Sequence, residues 1–113
     1  MKKHIAAINA ADLERFRRLG ELGCIACRKT FGAFVQSEVC HVTHAGRRVS
    51  HQDTFPLCPY HHRGLLPDGV NGDQAAATLG PSFAKSKREF EETFGTEDDL
   101  VKEANRMMYG VDQ

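Results

Sequence analysis

The chain has 113 residues, of which 41% are hydrophobic and 27% are charged, and its formal net charge is zero. This composition is that of a folded globular protein and excludes an intrinsically disordered chain. No apolar run approaches the ~20 residues of a membrane span, so we expect no membrane association. The length suits one domain over residues 1–113, with a modest hydrophobic core.

The charges are unevenly distributed along the chain. Up to Leu65 there are ten basic and five acidic residues, so this part carries +5 and the remainder −5. Because phosphates respond to the local field, the neutral total does not exclude DNA or RNA as a partner.

The first predicted helix follows Asn9, which together with Asp12 forms a helix-start pattern. We expect Leu13 and Phe16 to share one face and Gly20 or Gly23 to end the helix. The helix also carries basic residues, which predict either a solvated face or a phosphate-contacting face: Arg15, Arg17 and Arg18.

Short extended segments and turns follow this helix. We expect an irregular loop at 30–37, a strand at 38–42, a loop at 43–50 and an extended segment at Thr54–Leu57. Pro59 then suits the first turn of a helix, where its missing N–H costs nothing. A turn-rich linker is expected at 64–72.

The C-terminal part, about 73–109, is predicted to be helical. Spaced Phe residues indicate a helix at 82–94, ended by Gly95, and Thr96 begins a capping box for another helix. The apolar stripe of this last helix (Leu100, Ala104, Met107 and Met108) predicts core or interface packing rather than a cofactor site.

Two short pairs of metal-capable residues lie thirty residues apart, Cys24-x2-Cys27 and Cys58-x2-His61. The sequence does not begin like a secretory signal peptide, which favours metal ligation over disulfides. Paired half-sites of this spacing are typical of structural zinc in a treble-clef arrangement. The alternatives are a redox C-x-x-C, for which a βαβ pattern is missing, and a chance grouping of core cysteines.

His62 directly follows His61, and adjacent helical residues point about 100° apart. His61 can therefore face the zinc while His62 faces elsewhere, with His41 of the preceding strand as its natural partner. A histidine that holds a cation and another that activates water are what phosphodiester hydrolysis requires.

This order of histidines, interleaved with paired zinc ligands, resembles the HNH (ββα-metal) endonucleases. The P-L-C-P-Y-H-H motif at 56–62, within 46–64, closely resembles the phage and prophage group that includes the recombination-enhancement-function nucleases. The resemblance covers roughly 22–108. It implies an α+β fold with a small zinc-stabilised treble-clef/ββα-metal core at about 20–66 and additional helices at both ends.

The resemblance also implies roles for single residues. His41 matches the general base, His62 the ligand of the catalytic cation, and His51 the middle position that orients base or substrate, with Asp53 as second choice. The structural zinc ligands that it implies are Cys24, Cys27, Cys58 and His61.

Cys40 departs from the family pattern, which commonly places Asp or His there as a second cation ligand. Thiolate suits Zn²⁺ better than Mg²⁺. Either the site prefers a softer cation, or His44 supplies the ligand, or activity is weakened, or Cys40 is a buried core cysteine.

The resulting hypothesis is a metal-dependent HNH endonuclease that hydrolyses DNA phosphodiester bonds in phage or prophage recombination or DNA processing. Its cofactors would be a structural Zn²⁺ and a catalytic Mg²⁺, Mn²⁺ or Zn²⁺. Arg47, Arg48 and Arg63 could hold neighbouring phosphates, although ordinary surface charge is the alternative.

The partners expected from the resemblance are DNA and a recombinase–DNA filament, in the cytoplasm of a bacterial host cell. The alternative function is a non-catalytic treble-clef zinc module that binds nucleic acid or a protein partner.

Overall fold

The computed structural model describes residues 6–110. Within this range the chain forms six helices and four strands. The helices are α1 (Ala10–Leu22), α2 (Ile25–Phe31), α3 (Pro59–Arg63), α4 (Gly72–Leu79), α5 (Lys87–Phe94) and α6 (Glu97–Tyr109). The strands are β1 (Glu38–His41), β2 (Thr43–His44), β3 (Arg47–Arg48) and β4 (Thr54–Leu57).

The centre of the fold is an antiparallel pair of strands, β1 and β4, followed directly by α3. Cys40 lies opposite Phe55 and His41 opposite Thr54. Every residue of β4 is buried, and α1, α2 and α6 all contact this strand. Pro56 is tolerated because each strand of a two-stranded sheet is an edge strand. The predicted strands and the helical turn that begins at Pro59 are confirmed.

The expected loop at 43–50 instead contains a second hairpin, formed by β2 and β3. Its two-residue turn has positive φ at both positions, 54° at Ala45 and 76° at Gly46. Two positive φ values are typical of a type I′ turn, whose twist matches that of the flanking strands. An alanine at such a position is a weak sequence signal, which explains why the hairpin was not predicted.

The start and end of α1 agree with the sequence prediction. Asn9 Oδ1 accepts a hydrogen bond from the Asp12 N–H at 2.9 Å, and the Asp12 carboxylate accepts from the Asn9 N–H at 3.1 Å. Gly23 ends the helix with φ of 79°. Leu13, which we expected on the same helical face as Phe16, is 60% exposed.

Arg15 is buried, which neither predicted role of the α1 arginines anticipated. Its Nε donates to Thr54 Oγ1 at 2.8 Å, its Nη1 to Asn105 Oδ1 at 2.7 Å and its Nη2 to the Thr54 carbonyl at 2.5 Å. These hydrogen bonds tie α1 to β4 and α6, and they satisfy a charge that would be costly to bury alone. Arg17 and Arg18 are exposed and pair with Glu14.

The C-terminal helices differ from the prediction in two places. A helix was missed, α4, although Asn71 and Gln74 form a capping box at its start. The helix expected at 82–94 begins only at Lys87. The capping box at Thr96 is confirmed.

The Phe and Leu side chains of this part lie in the same core as β4. Phe90 and Leu100 are fully buried, and Phe83 packs edge-on against both Phe55 and Phe90. Met107 departs from its predicted stripe and is 45% exposed. The chain is therefore a small mixed α+β protein whose C-terminal helices complete the core around β4. None of the helices formed by residues 6–110 is long and apolar enough to cross a membrane.

The first prediction concerns this shared core. Replacing Phe90 by Ala should lower the free energy of unfolding by about 3–5 kcal/mol, because a fully buried aromatic ring is lost and leaves a cavity. Urea unfolding followed by circular dichroism measures the change. Phe31→Ala is the control, since Phe31 is 51% exposed and its loss should cost about 1 kcal/mol or less. Equal effects of the two changes would contradict the shared core.

Candidate metal centre and candidate catalytic histidines

Four buried side chains meet between α2 and α3: Cys24, Cys27, Cys58 and His61. Their ligand atoms all lie within 4.8 Å of one another. These are the four residues predicted from the two spaced pairs, and they form a Cys3His cluster that can hold a structural zinc ion.

The distances within the Cys3His cluster suit a tetrahedral ion. Cys27 Sγ and Cys58 Sγ are 3.8 Å apart, and His61 Nδ1 lies 3.6, 3.5 and 3.3 Å from the sulfurs of Cys24, Cys27 and Cys58. With Zn–S bonds of ~2.3 Å and a Zn–N bond of ~2.0 Å, a tetrahedron has edges of ~3.8 Å between sulfurs and ~3.5 Å from sulfur to nitrogen. The cluster therefore fits zinc without rearrangement.

Both halves of the cluster use the same local structure. Cys24 is the N-cap of α2 and Cys58 the N-cap of α3, and each sulfur accepts a hydrogen bond from the backbone N–H three residues on. Those N–H groups belong to the second ligand of each pair, Cys27 and His61. A C-x-x-C or C-x-x-H spacing thus places both ligands in one helical turn.

Contacts around the cluster prepare it for a cation. His61 Nε2 donates to the Leu79 carbonyl at 2.7 Å, which leaves Nδ1 with its lone pair toward the sulfurs. Hydrogen bonds from Cys24 and Cys27 lower the pKa of Cys58 well below its usual range, whereas contact with Cys24 and Cys58 raises the pKa of Cys27. Only a cation allows all three sulfurs to be thiolates together.

A second group, formed by two histidines, lies at the end of β1, where His41 is the last residue of the strand. His41 Nε2 and His51 Nδ1 are 3.0 Å apart, and His51 Nε2 is 2.9 Å from the Ala6 carbonyl. A carbonyl only accepts, so His51 Nε2 carries the hydrogen. In a neutral pair His51 Nδ1 then accepts from His41 Nε2–H, and His41 Nδ1 keeps its lone pair.

His41 Nδ1 is buried and makes no hydrogen bond to any residue between 6 and 110. Burial, with the charge of Arg48 and the neighbouring histidines, lowers the pKa of His41 to about 4. His41 therefore offers a neutral ring nitrogen, the form that can accept a proton or bind a metal.

His62 is half-buried on α3 and contacts Glu38 instead of the Cys3His cluster. Its Nδ1 is 2.9 Å from Glu38 Oε1, and the same carboxylate is held by Arg63 through two hydrogen bonds. His61 and His62 thus point in different directions, as their adjacency on a helix predicted.

The other predicted cation ligands do not join His62. Cys40 is 2% exposed and faces the core, and burial raises the pKa of its thiol to about 12. His44 is exposed on β2. Over residues 6–110, the Cys3His cluster is the group of three or more ligand side chains that could hold a metal ion. Asp53 follows His51, but His51 is the residue that contacts His41.

The predicted phosphate-binding residues lie on the surface. Arg47 and Arg48 form β3 and are exposed at the tip of the second hairpin. Arg63 has a side chain that is 52% exposed and paired with Glu38.

Sequence reasoning missed three groups that hold the ligands and histidines in place: the Glu38 carboxylate and the carbonyls of Ala6 and Leu79. The two carbonyls leave no sequence signal, because every residue has one. Glu38 could have been found from its position at the start of the strand that ends in His41.

The second prediction tests the ligand assignment. Purified protein should hold about one tightly bound zinc per chain, and Cys58→Ser should lose both the zinc and the folded structure. Cys40→Ala is the matched control: it removes another buried sulfur, but should keep the zinc. Metal analysis and circular dichroism measure both properties. A Cys58→Ser protein that keeps one tightly bound zinc per chain would overturn the assignment.

Comparison with known families now identifies the chain. The model of the family described as "Recombination enhancement, RecA-dependent nuclease" matches residues 9–109. No curated protein matches the chain at a comparable level. Because the family match spans nearly the whole sequence, the chain belongs to this family of RecA-dependent nucleases, enzymes that act on DNA.

Proposed function

We propose that the chain is an HNH-type endonuclease that hydrolyses DNA phosphodiester bonds with a divalent cation. In this proposal β1, β4 and α3 form the ββα-metal unit, and the Cys3His cluster is a structural zinc site of treble-clef type. The single observation that carries it is the hydrogen-bonded set of His41, His51 and the Ala6 carbonyl.

This set gives His41 the properties of a general base. The Ala6 carbonyl fixes the hydrogen of His51 on Nε2, and His51 in turn holds the hydrogen of His41 on Nε2. The lone pair of His41 Nδ1, an atom that is buried in this structure and has no hydrogen-bond partner among residues 6–110, is the proposed acceptor of the proton. His51 is thus the positioning residue for His41, in the way that a hydrogen-bonded partner orients other catalytic histidines.

The reaction follows from these roles. His41 Nδ1 takes a proton from water, and the resulting hydroxide attacks the phosphorus. The bond from phosphorus to the 3′ oxygen breaks, and the 3′ oxygen gains a proton from solvent. The products are a 5′-phosphate and a 3′-hydroxyl end. His51 Nδ1 continues to accept the Nε2 hydrogen of His41, which stabilises the charged ring.

His62 is the proposed protein ligand of the catalytic cation, through Nε2. Its Nδ1 is occupied by Glu38, so one nitrogen is directed away from that carboxylate. We exclude Cys40 from this site because its thiol is buried on the core side of β1. A bound Mg²⁺, Mn²⁺ or Zn²⁺ would supply Lewis-acid stabilisation of charge on the scissile phosphate.

Arg47, Arg48 and Arg63 are the proposed DNA contacts. The first two are exposed on the hairpin that follows β1, and Arg48 is close enough to His41 to influence its pKa. Arg63 uses two of its five N–H groups on Glu38, so three remain for a phosphate. Phosphate contacts of this kind position DNA without reading its sequence.

The proposed substrate is DNA engaged in a recombinase filament, in phage or prophage recombination. The description of the family as RecA-dependent supports this partner. The alternative, a zinc module that binds nucleic acid or protein without cleavage, differs in one measurable respect, because it has no cleavage to lose.

The third prediction is that His41→Ala abolishes most of the cleavage while the protein stays folded. Loss of a general base typically slows hydrolysis by about 10²–10⁴-fold. Cleavage should be measured on single- and double-stranded DNA, with and without a RecA filament, in Mg²⁺, Mn²⁺ or Zn²⁺.

Gln36→Ala is the control for that experiment, because Gln36 is exposed and has no part in the proposed site. If the wild-type protein cleaves under none of these conditions but binds DNA, the non-catalytic alternative is correct. Wild-type rates for His41→Ala would instead remove His41 from the mechanism.

The fourth prediction concerns the hairpin arginines. Replacing both Arg47 and Arg48 by Ala should weaken DNA binding and reduce the slope of log affinity against log salt concentration by about 2, since each phosphate contact contributes about 0.9. Arg88→Ala is the matched control, because Arg88 is 92% exposed but lies on α5. Titrations at several salt concentrations measure the slopes. Equal slopes for wild type and double variant would place the DNA elsewhere.

A further inference from the structure

Glu38 contacts two consecutive residues of α3. As the first residue of β1 it pairs with Leu57, which directly precedes Cys58 and α3. Its Oε1 accepts from His62 Nδ1 at 2.9 Å and from Arg63 Nε at 3.0 Å, while Oε2 accepts from Arg63 Nη2.

We propose that Glu38 is the positioning residue for His62, and that it holds the hydrogen on Nδ1 so that Nε2 is free to bind a divalent cation. The inference rests on the proposed function, in which His62 is the cation ligand. Metal-binding histidines generally donate their second ring N–H to a carboxylate or carbonyl, which fixes the tautomer and makes the ligating nitrogen more basic.

The same arrangement occurs at the Cys3His cluster with the nitrogens exchanged. There His61 donates from Nε2 to the Leu79 carbonyl and presents Nδ1 to the sulfurs. At His62 the acceptor lies at Nδ1, so the ligating nitrogen is Nε2. Two adjacent histidines are therefore each held in one tautomer, but in opposite ones.

Arg63 makes Glu38 suitable for this role. The Arg63 guanidinium donates to both oxygens of Glu38, and a carboxylate held in this way accepts the hydrogen bond from His62 Nδ1. Two parallel N–H···O bonds from one guanidinium also fix the plane of the carboxylate. The ring of His62 is thereby held by the strand that carries His41.

The alternative is that Glu38 only forms a surface ion pair with Arg63 and has no effect on His62. If Glu38 served only Arg63, its loss would remove an exposed salt bridge, which contributes little to stability. If Glu38 also positions His62, its loss changes which ring nitrogen of His62 carries the hydrogen. Stability measurements do not detect this change. This difference makes the proposal testable apart from folding and from catalysis.

The first experiment determines the His62 tautomer by ¹⁵N NMR of the zinc-loaded protein, with no second metal added, at a pH at which the ¹⁵N shifts themselves show a neutral ring. Wild-type protein should show His62 with its hydrogen on Nδ1. Glu38→Ala should show a mixture of both tautomers. A wild-type His62 with its hydrogen on Nε2 overturns the proposal.

The second experiment measures Mn²⁺ affinity by electron paramagnetic resonance. Glu38→Ala should bind Mn²⁺ about 10–100-fold more weakly than wild type, and Glu38→Gln, which keeps the shape but loses the charge, should lie between them. Cleavage by the Glu38 variants should recover when the Mn²⁺ concentration is raised, because positioning of the ligand and not the base is impaired.

Glu21→Ala is the matched control for both measurements. Glu21 is also an exposed glutamate paired with an arginine, Arg17, at 2.6 Å, but it lies on α1. It should leave the His62 tautomer and the Mn²⁺ affinity unchanged. Zinc content and circular dichroism confirm that each variant is folded.

The outcomes separate this proposal from the proposed function. Unchanged Mn²⁺ affinity in Glu38→Ala, or no Mn²⁺ binding by wild type, overturns the role of Glu38 even if DNA is cleaved and His41→Ala is inactive. A Glu38-dependent tautomer and Mn²⁺ affinity in a protein that cleaves no DNA supports the role of Glu38 and rejects the nuclease mechanism.

Discussion

The Cys3His cluster is the constraint on which the rest of the structure depends. It joins the start of α2 to the start of α3. These two short helices are separated in sequence by the strands β1 to β4. A helix of five or seven residues is marginal by itself, so the shared cluster and the packing around it must fix where these helices begin. The Leu79 carbonyl extends the same constraint to α4, because it holds the ring of His61.

In both β1 and α3, a residue that faces the core is followed directly by a histidine of the proposed mechanism. On β1, Cys40 faces the core and His41 faces His51, as alternation along a strand requires. On α3, His61 faces the cluster and His62 faces Glu38, as the angular step of a helix requires. Contacts that hold the core residues of β1 and α3 in place therefore also set the orientation of His41 and His62.

The sequence was sufficient where local spacing determines geometry. The two ligand pairs and the capping boxes at Asn9 and Thr96 were predicted because each depends on residues three apart in one helical turn. Contacts set by tertiary packing were not predictable. The buried Arg15 and the carbonyl partners of His51 and His61 depend on elements that are distant in sequence. The role of Cys40 required knowing which side of β1 faces the core.

Hydrogen exchange is the most direct test of the claim that the Cys3His cluster organises the catalytic side. Amide exchange should be compared between zinc-loaded protein and protein stripped of zinc by a chelator. We predict that protection is lost together in α2, α3 and the β1–β4 pair, because the ligands lie in or directly before the two helices and because His41 and His62 lie in β1 and α3. Unchanged protection of β1 and α3 after zinc removal would contradict the claim, because these elements would then hold their places without the cluster.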